Sequence, residues 1–117
     1  MGTTSVLIFD GYNLDGKIPA RPGHWPEIKF RYRPALAEEL WEFHRTEEAS
    51  GEQRMKATAK FLMDHLISWD ITVAGGNETV PITAANLRRV PAQILARFID
   101  HVAGYVERGE AETDAKN

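Results

Sequence analysis

The side chains that most often carry nucleophilic or metal chemistry are few in this chain: three serines (Ser5, Ser50, Ser68), four histidines (His24, His44, His65, His101) and no cysteine. A hydrolytic serine needs a partner base and a sharp strand-to-helix turn, yet none of the three stands in a Gly-x-Ser-x-Gly setting. The chain also lacks the Gly-x-x-x-x-Gly-Lys-Ser/Thr loop that cradles phosphate, the Gly-x-Gly-x-x-Gly turn of dinucleotide sites and the His-Glu-x-x-His pair of zinc proteases. Without cysteine there is no disulfide framework, thiolate nucleophile or Cys-based metal site. The histidines are isolated, His24 in a proline-rich segment and the others on three separate predicted helices. Helix packing could bring His65 and His101 together, but a metal centre needs three or four converging ligands. The inventory therefore reads as a protein that is not an enzyme, with no catalytic residue, no cofactor and no metal.

Two further patterns imitate sites. Asn13, Asp15 and Gly16 fit the third, fifth and sixth places of a calcium loop, but Gly11 and Pro22 fall where the first carboxylate and the bidentate glutamate belong. Asn77-Glu78-Thr79 is a glycosylation sequon, but residues 1–9 lack the features of a secretory signal, so export is not expected and the sequon reads as an accident. More promising for binding is the run from Ile28 to Arg33, where Lys29, Arg31 and Arg33 alternate with Ile28, Phe30 and Tyr32. In a strand this puts three cations on one face, able to hold phosphate or an acidic partner surface, with Trp25 nearby in sequence. The plainer alternative is the wet face of an amphipathic strand. Arg88 and Arg89 ahead of Pro91 imitate the turn of a helix-turn-helix, but Ile94, Leu95, Phe98 and Ile99 claim the following helix for packing.

These residues must be positioned by a small set of elements. Ser5–Phe9 is an apolar run read as a strand, and Asp10-Gly11 and Asp15-Gly16 are read as turns. Both faces of that strand are apolar, so helices and the loop around Trp25, or a partner chain, must cover it. The prolines and glycine of residues 18–27 favour an extended loop, and Ile28–Arg33 is the second strand of a small antiparallel sheet. Pro34 ends that strand and opens a helix to about Thr46, with Leu36, Leu40 and Phe43 inward. Ser50 and Gln53 form a capping signature for a second helix whose stripe is Met55, Ala59, Leu62 and Leu66. Ile71–Val73 and Val80–Ile82 make a small hairpin or a plain loop. Thr83 caps a short helical turn, and Pro91 starts a last helix with Ile94, Leu95, Phe98, Ile99 and Val102 along one side, extended by Tyr105 and Val106. The fold class is thus α+β, mainly α, with a small N-terminal antiparallel β element followed by three main amphipathic helices.

The chain has 117 residues, enough to close one core, and is read as a single domain over residues 1–108 with a tail from Gly109 that has no apolar anchor and is expected to be disordered. Its 43% hydrophobic and 26% charged content is that of a soluble globular protein, and no apolar run reaches the roughly 20 residues of a membrane span. A cytoplasmic location is expected. A net charge of -3 and a pI near 5.8 weigh against a dedicated nucleic-acid binder, while leaving room for a local basic patch.

The second half of the chain carries Trp69, Asp70, Gly76, Val80, Pro81, Ile82, Thr83, Leu87 and Pro91 in a pattern that resembles the tail-assembly chaperones of long-tailed bacteriophages. The similarity extends to the N-terminal apolar strand with its Asp-Gly turns, to Phe30–Glu39 and to the helix ending in Leu66 to Trp69. The resemblance implies a non-enzymatic helical module, from a phage or prophage, that binds the tape-measure protein and recruits tail-tube subunits during tail assembly. It offers no catalytic residues to carry over. Candidate partner-binding residues are Lys29, Arg31, Tyr32, Arg33 and Trp69, although Trp69 also continues the stripe of Leu62 and Leu66 and so could be core. A homo-oligomer is compatible with it. Competing classes are a structural tail or head-tail joining protein retained in the virion, a small DNA-binding regulator, and an enzyme of unrecognised type.

Overall fold

A computed structural model of the chain describes residues 13–46, 50–73 and 76–105. The expected strand Ser5–Phe9, the Asp10-Gly11 turn and the tail from Gly109 lie outside these residues. Three antiparallel strands, β1 (Leu14–Ile18), β2 (Ile28–Tyr32) and β3 (Leu66–Trp69), form a sheet in the order β1-β2-β3. Among the described residues four helices accompany it: α1 (Ala37–His44), α2 (Gly51–His65), α3 (Ala84–Leu87) and α4 (Ala92–Ala103). The architecture is α+β. The sheet is not confined to the N-terminal part of the chain, because β3 follows α2.

Strand β2 behaves as its alternation requires. Ile28, Phe30 and Tyr32 are buried, and Lys29 and Arg31 are exposed. The loop 19–27 closes the β1–β2 hairpin through a tight turn between Arg21 and Trp25, where Gly23 takes φ 82. Asp15 and Gly16, expected as a turn, instead lie within β1 opposite Arg31 and Phe30. The reason is the ring of Phe30, which covers Gly16 so closely that a Cβ there would collide with it. Glycine serves here as a gap under an aromatic ring rather than as a bend.

The second correction concerns Leu66–Trp69, expected as the end of a helix. Helix α2 starts as read, with Ser50 Oγ accepting from Gln53 N at 3.4 Å. It stops at His65, and Leu66 turns extended at φ -80, ψ 128. Two of the carbonyls that a helix C-terminus leaves open are taken by Arg33, whose backbone N–H donates to His65 O at 2.8 Å and whose guanidinium donates to Asp64 O at 3.3 Å. The chain then pairs with β2, Phe30 facing Trp69 and Tyr32 facing Leu66, with a register irregularity at Arg31/Tyr32.

Thr83 caps α3 by accepting from Asn86 N at 3.1 Å, and Pro91 is the N-cap of α4. Between β3 and α3 the described residues include one bridge, Thr72–Thr79. Helix α4 buries Ile94, Leu95, Phe98 and Val102 as its periodicity predicts. It ends at Gly104, φ 85, so Tyr105 leaves the buried side and stacks on His44 of α1. One core unites the described elements, with Phe98 between Phe30 (edge-on, 4.8 Å) and Trp69 (stacked, 5.8 Å).

Candidate functional site

The sheet face turned away from this core carries Asp15, Lys29, Arg31 and Ser68, all exposed, with Lys17 partly so. Register decides how these charges meet. Asp15 faces Arg31, whose Nε donates to Asp15 Oδ1 at 3.1 Å, and Lys17 faces Lys29. Like charges directly opposite each other on a sheet are destabilising. Lys29 Nζ is 4.0 Å from Glu27, and its backbone N–H donates to Asp70 Oδ1 at 3.0 Å. Lys17 makes no ion pair among the described residues.

Of the five residues singled out for partner binding, Lys29 and Arg31 are on this face. Tyr32 (3% exposed) and Trp69 (6% exposed) are in the core, because the strand period that exposes Lys29 and Arg31 turns Tyr32 inward. The indole of Trp69 donates from Nε1 to Val80 O at 2.7 Å, which fixes the loop crossing beneath it. Arg33 is occupied: besides the end of α2, its guanidinium pairs with Glu39 at 3.3 and 3.4 Å. These three residues hold the fold behind the charged face and do not form part of it.

A second feature is a groove of about 410 Å³ between α1 and α2, lined among others by Glu39, Phe43, Phe61, Asp64 and His65. Phe43, Phe61 and His65 of this lining form a run of packed rings, which Arg54 extends beyond the groove. The Arg54 guanidinium lies 4.4 Å from the centre of Phe43, Phe43 stacks on Phe61 at 4.2 Å, and Phe61 packs on His65 at 4.7 Å. His65 reaches Glu39 Oε1 through Nε2 at 3.1 Å, and Glu39 Oε1 also accepts from Leu36 N at 2.8 Å, closing the start of α1. Burial pushes the Glu39 carboxyl upward, but the hydrogen bonds from Leu36, His65 and Arg33 and the charge of His65 outweigh it and hold the group at about 2.

The histidines expected on three helices are there, in α1, α2 and α4, and the two buried ones have different neighbours. His65 faces Glu39 and Phe61, whereas His101 packs against Phe30 and Tyr32 of β2. Sequence reasoning passed over Lys17, because reading Asp15-Gly16 as a turn removed it from any strand. It also passed over Glu39. The signal available was its position three residues after Leu36, where a glutamate can reach back to the N-cap amide.

Compared with known protein families, with curated proteins and with solved structures, the chain matches none. No helix among the described residues is long and apolar enough to cross a membrane.

Proposed function

We propose that this chain is a non-enzymatic tail-assembly chaperone of a long-tailed bacteriophage or prophage, acting in the host cytoplasm, where it binds the tape-measure protein and recruits tail-tube subunits. The observation that supports the reading is that four of the residues carrying the resemblance, Trp69, Val80, Ile82 and Leu87, lie in or against the one core. Trp69 donates to Val80 O, Val80 N donates to Ile71 O at 2.9 Å, Thr83 caps α3, Leu87 is fully buried and Pro91 caps α4. The α+β architecture is compatible with the layout the resemblance implies.

In this reading the contact surface is the charged face at Lys29 and Arg31 together with large apolar side chains left in solvent, above all Trp41 (72% exposed), Val73 and Ile67. Several weak contacts suit a protein that must hold an aggregation-prone partner and then release it to tube polymerisation. The test is co-purification with the tape-measure and tube proteins encoded near its gene, followed by a search for the chain in mature particles. Capture of either partner with absence from particles is the expected result. Presence in particles would make it a structural tail or head-tail joining protein. Failure of capture, with DNA binding that weakens steeply as salt rises, would make it a regulator.

A further inference from the structure

Two buried histidines use the same local device, a ring Nδ1 set against the carbonyl four residues earlier: His65 to Phe61 O at 2.7 Å and His101 to Arg97 O at 2.9 Å. They differ at Nε2. In His101 this atom is buried with no hydrogen-bond partner among the described residues, so a single ring proton, on Nδ1, satisfies the geometry. In His65 it faces Glu39 Oε1. A carbonyl and an ionised carboxylate accept only, so both His65 bonds are made only when both ring nitrogens carry protons. Glu39 is ionised across the neutral range.

Removing one proton leaves two acceptors face to face, either Nδ1 against Phe61 O or Nε2 against Glu39 Oε1. The carbonyl is fixed in the backbone of α2 and cannot move away. The Glu39 side chain is 29% exposed and lines the groove, so it can. The other charged groups around the ring are Arg33 before α1, Glu42 on α1, and Lys60 and Asp64 on α2. Lys60 and Asp64 pair with each other at 2.9 Å, and Glu42 pairs with Arg45 at 3.1 Å, which among the described residues leaves Glu39 as the ring's direct ionic partner.

We propose that Arg33, Glu39 and His65 form a proton-operated latch between α1 and α2. It is closed while His65 is protonated on both ring nitrogens, and it opens when the Nε2 proton leaves to solvent and the Glu39 carboxylate swings into the groove. Because Glu39 Oε1 also holds Leu36 N, opening loosens the first turn of α1. The latch stands independently of the assembly reading.

The experiment is a pH titration of the whole, 15N-labelled chain by NMR, following the imidazole nitrogens and the backbone amides together. As His65 loses a proton, the neutral ring should keep it on Nδ1, and the amide signals of Leu36 and Leu40 should move with the same midpoint. The titration of His101 is the internal comparison and should leave those amides in place. A neutral His65 with its proton on Nε2, or α1 amides that stay still through the His65 transition, would overturn the proposal. In Glu39→Gln the α1 amides should no longer follow the ring; if they still do, the latch does not run through Glu39. The wild-type titration decides the matter even if that variant folds poorly.

Discussion

The ring of Phe30 lies over Gly16 on the neighbouring strand and occupies the space that any side chain at residue 16 would need. Phe30 is itself wedged against Phe98 and His101, so it cannot swing aside freely. Gly16→Ala should therefore destabilise the fold by about 1–3 kcal/mol through overpacking. Urea unfolding monitored by circular dichroism measures this, and an unchanged midpoint would show that the ring yields.

Leu62 is fully buried on α2 at the centre of the core. Leu62→Ala should cost about 2–5 kcal/mol, the lost transfer energy plus the cavity left behind. The same unfolding experiment reads it, and a cost below about 1 kcal/mol would mean that α2 can collapse onto the gap.

Trp69 was a candidate for partner contact and is found holding Val80 O from the core. Trp69→Phe keeps the ring but removes the donor, leaving a carbonyl unpaired, and should cost about 1–3 kcal/mol of stability. Partner capture, measured below the unfolding transition, should survive it.

The Glu39 carboxyl sits at about 2 in the fold, against an ordinary value of 4.5. A carboxyl lowered by folding adds stability in full above its ordinary value and loses that contribution as the pH falls through the folded value. Stability should therefore decline between pH 4.5 and pH 2, and Glu39→Gln should flatten this part of the curve. Parallel curves for the two proteins would show that other carboxyls set the acid limb.

Lys29→Glu with Arg31→Glu reverses the exposed sheet face without touching the core. Stability should remain within about 1 kcal/mol of wild type, as expected for exposed pairs. Under the proposed function, co-purification with the tape-measure or tube protein should fall sharply. Full capture by the folded double variant would reduce this face to an ordinary wet surface.

What the sequence made legible was local. The Ser50 and Thr83 caps, the Pro91 start, the alternation of β2 and the inward stripe of α4 each follow from residues within a turn or two of one another. Gly16 and Leu66–Trp69 were misread because their conformations are set by partners far along the chain. An Asp-Gly pair bends or runs straight according to the ring opposite it, and a helical apolar stripe becomes a strand once Arg33 takes the carbonyls at its end and β2 offers an edge. The candidate site divides in the same way. Exposure of Lys29 and Arg31 could be read from alternation, whereas the meeting of Arg33, Glu39 and His65 joins three regions that no local pattern links.

The position of β3 after two helices sets an order of events. The β1–β2 hairpin leaves the ribosome before β3 and α4, the described elements that pack on Phe30, have been made. The strand that completes the sheet, and the helix that covers Phe30, are made only after α1 and α2. Pairings so distant along the chain form late and slowly, because a long loop must close before they repay its entropy. Until then the nascent protein exposes the kind of surface that draws aggregation. A nascent chain halted before Leu66 should therefore depend on the cell's own folding helpers.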